Sequence, residues 1–454
     1  MPTDRLPREL RSYRAWAQAH RLARGVRDEA FLLLVQRIMR SPVHECAGAR
    51  LLVDGELAFR AILAAIADAR DEVLLETYIL RDDRIGESVR AALTAAVARG
   101  VRVHVLADAV GSLDTKDAFW DGFEQAGITL RLFHRLRYLP FEALRRDHRK
   151  IIVIDRTIAF IGGMNIGEEY GSSIRRRSGA FRDSLVRLEG SVAHELAAVF
   201  AEGWDRAQGP PLPGLEYISW AESAATSLLV PQSRFSARAL RARLSRRMGL
   251  RRDRRRGRRV RRIAGAVETE SAPTAVVLDA RPGRGQREVL AVLASLVGGA
   301  RERLWITTPY FAPPTRALAL LRAAARRGVD VRLLLPGAQT DVPVVRHAAH
   351  GAYRSLLDAG VRIYEYERAT LHAKTIVVDS YAGVVGSTNL DFRSFWLNAE
   401  CNVVLFDPVV ASALERAFTD DCAASTEITL HAWSLRSIRH MVADWLARQV
   451  RIAL

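Results

Sequence analysis

Cysteine is scarce in this sequence of 454 residues: Cys46, Cys401 and Cys422 are odd in number, widely spaced and without a CxxC pair. That excludes a disulfide framework and gives no sign of a zinc site, and it suits a reducing, cytoplasmic setting. Long hydrophobic runs are also missing. The longest near the N-terminus, Ala30 to Val35, is far short of the ~20 residues that cross a bilayer, and no signal peptide precedes it. Any membrane contact is therefore expected to be peripheral.

Acidic residues are almost absent from one stretch. Between Arg234 and Arg262 there are fifteen arginines against one acid, Asp253, so this segment carries +14 of the chain's net +17. The basicity is inserted into the fold and points to a phosphate-rich partner, an anionic bilayer or a nucleic acid. With only Phe235 available for base stacking, nucleic acid is the poorer fit. A solvated tether and a clamp on anionic lipid both remain open for this segment.

The length predicts two domains, and an apolar fraction of 49% excludes a disordered chain. A repeat gives the organisation. Val73–Leu80, a helical stretch ending at Gly100, and Val101–Ala107 recur as Leu304–Phe311, a helical stretch ending at Gly328, and Val329–Leu335. Valine- and isoleucine-rich strands alternating with glycine-closed helices predict an α/β fold, a sheet covered by helices on both faces. The predicted layout is a basic N-terminal arm over 1–40, a first domain over 41–231, an Arg-rich linker over 232–273, and a second domain over 274–454. The last ends in an amphipathic helix with Leu435, Ile438, Val442, Trp445 and Ile452 at helical spacing; domain packing and interfacial membrane contact are both open for it.

Each repeat reaches one signature. His148, Lys150, Asp155, Gly162 and Asn165 recur at identical spacing as His372, Lys374, Asp379, Gly386 and Asn389. With each position matched by chance about one time in twenty, two occurrences in register with a repeat are not accidental. On a strand, residues i and i+2 share a face, so each histidine and its lysine can address one ligand. The chemistry suits a phosphodiester, whose negative charge repels anionic nucleophiles. Lysines and the Asn165 and Asn389 amides neutralise the phosphate while a neutral imidazole attacks and another exchanges the proton. No metal or other cofactor is required.

These residues resemble the paired HxKxxxxD motifs of the phospholipase D superfamily, over about Leu51 to Val404. Within it the chain is most similar to bacterial cardiolipin synthases, through Glu76-Thr-Tyr78, Asp147-His-Arg-Lys150, Phe181-Arg-Asp183, Thr308-Pro-Tyr-Phe311 and Gly386-Ser-Thr-Asn-Leu-Asp-Phe-Arg-Ser394. The resemblance implies two phospholipase D-like domains, each a mixed sheet flanked by helices, related by pseudo-twofold symmetry with the histidines meeting at the interface. It implies a catalytic set of His148, Lys150, Asp155, His372, Lys374 and Asp379, with His148 as nucleophile and His372 as acid and base. Asp155 and Asp379 organise the motif without touching substrate. Asp183 is expected to orient His148, and Glu400 to orient His372.

The implied reaction moves a phosphatidyl group between two phosphatidylglycerol molecules, at the cytoplasmic side of the bacterial cell membrane. Phospholipase D-type or nuclease hydrolysis through the same intermediate is the alternative, with a non-catalytic scaffold behind it. Many cardiolipin synthases begin with a transmembrane hairpin that this sequence lacks, which shifts the expected docking to its basic segments. Arg393 is read either as a second phosphate ligand or as an ion-pair partner of Asp391, and Glu76 and Tyr78 chiefly as packing residues. His44, His104, His134, His194, His347, His350, His431 and His440 are read as structural.

Overall fold

The computed structural model describes residues 11–133, 144–171, 179–212, 214 and 272–436. The Arg-rich stretch, His134, His440 and the C-terminal helix beyond Arg436 lie outside these. The described residues up to 210 and from 272 on belong to one compact unit.

The first half builds β1 (His44–Val53), α3 (Gly55–Asp68), β2 (Glu72–Thr77), α4 (Arg84–Ala98), β3 (Arg102–Asp108) and β4 (Thr129–Phe133). It continues with β5 (Ile151–Ile154), β6 (Ile158–Gly162), α6 (Glu168–Gly171), β7 (Phe181–Arg182), β8 (Ser184–Gly190) and α7 (Ser191–Arg206). The second half repeats the plan: β9 (Thr274–Ala280), α8 (Gln286–Gly299), β10 (Arg303–Thr307), α9 (Thr315–Arg326), β11 (Asp330–Pro336) and β12 (Arg362–Tyr366). Then follow β13 (Thr370–Leu371), β14 (Thr375–Val378), β15 (Ala382–Gly386), α11 (Phe392–Trp396), β16 (Glu400–Phe406) and β17 (Ser425–Ile428).

The two expected sheets are joined into one of fifteen strands, in the order β17-β12-β11-β10-β14-β15-β16-β9-β1-β8-β6-β5-β2-β3-β4. Its two sides mirror each other about the β9–β1 junction, where His44 pairs with Ala275 and Glu45 with Thr274. On each side three strands run parallel (β2-β3-β4 and β10-β11-β12), because helical crossovers connect them. The strands that the signature flanks, β5-β6 and β14-β15, are antiparallel hairpins. Helices α4 and α9 both give way to left-handed glycines, Gly100 and Gly328, each at φ 90, a conformation that costs glycine little.

The N-terminal segment is more than a basic arm. Its helix α2 (Glu29–Met39), capped by the Asp28 carboxylate on the Ala30 N–H at 3.1 Å, buries Phe31, Leu34, Val35 and Met39. These join Val289, Val292 and Leu296 of α8 in the core of the second half. Their i, i+3, i+4, i+8 spacing is a helix face that must be covered. Among the described residues no helix is long and apolar enough to cross a membrane.

Candidate active site

The two HxK segments, expected on strands, lie just before β5 and β14, at the contact between the halves, because their backbone bonds go to the opposite half instead of to a ladder. Each is held by a short parallel pairing with the opposite half. The His148 N–H donates to the Ala399 carbonyl at 2.9 Å and the Ala399 N–H to the Arg146 carbonyl at 2.8 Å. On the other side β13 pairs with β7, and the His372 N–H donates to the Arg182 carbonyl at 2.8 Å. These crossed pairings set which carboxylate each imidazole meets.

The orienting acids are Asp183 and Glu400, but the partners are exchanged from those expected. His148 Nδ1 lies 3.1 Å from both Glu400 carboxylate oxygens, and His372 Nδ1 lies 2.7 Å from Asp183 Oδ2. Each histidine is oriented by the other half, because the residues just before each acid are the ones that pair with the opposite histidine's backbone. With a carboxylate on Nδ1, each ring presents Nε2 to the site.

All four signature side chains are buried. Burial comes first in pushing His148 well below the ordinary imidazole value, followed by the charges of Lys150, Lys374 and His372. Burial and Lys374 likewise lower His372. Both shifts favour the neutral imidazole. Burial also pulls Lys150 to about 7 and Lys374 to about 8, and it lifts Glu400 to about 7. Lys150 Nζ donates to the His148 carbonyl at 2.6 Å, and Lys374 Nζ lies 2.9 and 3.1 Å from the two ring nitrogens of His372.

The supporting residues differ between the halves. Glu400 accepts from Ser387 Oγ at 2.5 Å, Ser394 Oγ at 2.8 Å and Asn398 Nδ2 at 3.4 Å. Asp183 accepts the Ser184 N–H at 2.7 Å, and Gly163 takes the place of Ser387 because a Cβ there would strike the Asp183 carboxylate. The serines lie inside a quoted motif yet carry no sign of this role in the sequence.

Asp155 and Asp379, expected in the catalytic set, lie outside the site at the far ends of β5 and β14. Asp155 accepts the N–H groups of Arg70, Asp71 and Glu72 at 2.8–2.9 Å, and Asp379 those of Arg301, Glu302 and Arg303 at 2.8–3.2 Å. Both occupy left-handed turn positions, at φ 50 and 53, which aspartate tolerates, and each ties its hairpin to the neighbouring strand.

Asn165, expected to donate to phosphate, accepts the Ile79 N–H at 3.1 Å and donates to the Tyr170 hydroxyl at 2.8 Å, so its amide braces the loop after β2. Asn389 is buried and its amide oxygen has no hydrogen-bond partner. Turned about, that amide presents N–H in the same place. Arg393 reaches the Leu144 carbonyl at 3.4 Å, while Asp391 caps α11 through the Ser394 N–H at 2.8 Å. His44 and His350 have structural partners, Ser191 with Glu195 and Glu365.

Other residues stand around the pair. Tyr78, read chiefly as a packing residue, stands edge-on to His148 at 5.0 Å, and Tyr170 of the first half, which the sequence did not single out, to His372 of the second at 5.3 Å. Arg149, between the catalytic pair, is fully buried and bonded to Glu202 at 3.0 Å and Asp279 at 2.6 Å. It ties the first motif to β9 of the second half. Removing one side of such a buried network costs about 3–5 kcal/mol.

Comparison with known proteins finds relatives over most of the chain. The family described as "Cardiolipin synthase, PLD-like domain" matches residues 62–201 and 293–422. Cardiolipin synthase 1 of Bacillus anthracis is 31% identical over 92% of this chain and 74% of its own length. The cardiolipin synthase of Geobacillus kaustophilus is 31% identical over 94% and 76%. Among solved structures, phosphatidylserine synthase of Haemophilus influenzae superposes with a TM-score of 0.66 over 94% of this chain and all of that one, at 15% identity; that likeness is one of fold. A doubled signature, two buried histidines each held by the opposite half, and matches over most of the length converge on one conclusion: the chain belongs to the cardiolipin synthase family of phospholipase D-like proteins.

Proposed function

We propose that this protein makes cardiolipin by moving a phosphatidyl group from one phosphatidylglycerol to another, through a phosphohistidine on His148. The observation that carries the reading is the crossed pair of buried, neutral imidazoles with a lysine beside each, in a chain of this family.

In the first step His148 Nε2 forms a bond to phosphorus and the bond to the glycerol oxygen breaks. His372 gives that oxygen a proton, and glycerol leaves. The resting His372 is neutral, but a bound phosphodiester places negative charge against Lys150 and Lys374, which offsets the repulsion that lowers the imidazole and lets it hold the proton. In the second step His372 takes the proton from the hydroxyl of another phosphatidylglycerol, whose oxygen displaces His148 from phosphorus. The lysines and the Asn389 amide are suited to the equatorial oxygens. Glu400 keeps the His148 Nδ1 proton in place, and Asp183 that of His372. We place the protein peripherally at the cytoplasmic face of the membrane, with the arginines between 234 and 262 drawing it to anionic lipid at about 1 kcal/mol each near the surface.

Purified protein given phosphatidylglycerol alone should release cardiolipin and glycerol in similar amounts, read by lipid mass spectrometry and a glycerol assay. Phosphatidic acid as the dominant product makes the enzyme a hydrolase. Cardiolipin formed only after addition of phosphatidylethanolamine changes the donor.

A further inference from the structure

The second half contains an apolar cavity of about 370 Å³. That is over twice the roughly 150 Å³ hydrocarbon-lined cavity that admits benzene, and it falls in the size range of small-molecule sites. Leu304, Ile306 and Ile376 form its floor on the strands. Leu290, Leu293 and Ala294 of α8 face Ala317 and Leu320 of α9 across it. Trp396 and two exposed arginines, Arg287 and Arg316, are also part of its lining. Four lining residues, Leu293, Ile306, Ile376 and Leu390, also border a small space beside Lys374. These shared walls separate the cavity from the space on the Lys374 side.

The first half differs at the equivalent place. Counting back from the helix caps Ala69 and Ala300, Phe59 stands where the second half has Leu290, and it is in the core. Helix α6 closes onto α3 and α4 there, with Gly55 against the Tyr170 carbonyl and Gly171 against Ile85. Both halves keep a space of about 20 Å³ beside their lysine, Lys150 in one and Lys374 in the other.

We propose that the cavity holds one acyl chain of an anionic phospholipid whose phosphate sits at the rim between Arg287 and Arg316. The chain matches the apolar walls, and the two guanidinium groups match the phosphate. Trp396, exposed at 37%, supplies the amphipathic ring that favours the bilayer interface. This rests on the reading that the protein works on anionic phospholipid, and it adds a lipid site beside the catalytic one.

The test uses the full chain with phosphatidylcholine vesicles containing phosphatidylglycerol brominated in one acyl chain. Trp396 emission is isolated by subtracting the signal of Trp396→Phe. Bromine is expected to quench that component, and Arg287→Gln with Arg316→Gln should weaken the quenching titration about ten- to thirty-fold. Ala294→Phe with Ala317→Phe, which fills the cavity, should abolish it. No quenching of Trp396 in the wild type overturns the proposal even if the filled variant fails to fold. Equal quenching by brominated phosphatidylcholine overturns the anionic preference. Cardiolipin formation is measured on the same samples: turnover without quenching sinks the cavity site and spares the enzyme reading, and quenching without turnover does the reverse.

Discussion

The two halves share one chain path, yet they are built to different ends around the same signature. The first docks its short helix α6 onto α3 and α4, while the second leaves an apolar cavity between α8 and α9. The first uses a short acid, Asp183, against a glycine; the second uses a longer one, Glu400, braced by two serines and an asparagine. A pseudo-symmetric fold has thus produced an asymmetric site, which a reaction with distinct nucleophile and acid requires.

Removing either histidine breaks the comparison most severely. His148→Ala and His372→Ala should each lower turnover by about 10³-fold or more, since residues acting as a unit fail together. The two losses differ in kind. Mass spectrometry should find a phosphatidyl adduct on His148 in the His372→Ala protein, and none in His148→Ala. An adduct on His372 would exchange the roles of the halves.

Exchanging the residues behind the acids sharpens the contrast. Gly163→Ser forces the new side chain onto Asp183 and displaces His372, a misplacement that costs about 10²-fold in kcat. Ser387→Gly deletes one of three donors to Glu400 and should cost about 10-fold, the worth of a hydrogen bond to a charged acceptor. Steady-state kinetics with unchanged thermal midpoints would check both. Equal effects would mean that the two acids are supported alike.

The smallest effect concerns pH. Lys150 at about 7 and Lys374 at about 8 lose their protons as pH rises through those values, so phosphate binding weakens and KM should climb several-fold between pH 7 and 9. Lys150→Arg stays charged throughout and should remove the first part of that rise. A KM flat with pH would mean that both lysines stay charged in the free protein.

Much of this was legible along the chain. Repetition of His148/Lys150 as His372/Lys374, and the glycine-closed helices, marked the doubled α/β plan because periodicity and spacing are local properties. The role of Asp155 and Asp379 was only half legible: their spacing recurs, but only the folded hairpins reveal carboxylates that collect three backbone amides each. The N-terminal arm read as basic because charge is visible in a sequence. Its burial against α8 depends on a surface supplied from some 260 residues away.

What the sequence by itself determined is the chemistry: two imidazoles and two lysines repeated in register supply the nucleophile, the proton carrier and the cations that phosphoryl transfer needs. What only the tertiary structure decided is the pairing. Asp183 lies 35 positions after His148 and Glu400 lies 28 after His372, so order along the chain joins each acid to the histidine of its own half. The backbone bonds of His148 to Ala399 and of His372 to Arg182 join them crosswise. Such bonds form between segments distant in sequence once both halves have folded, and no local pattern records them.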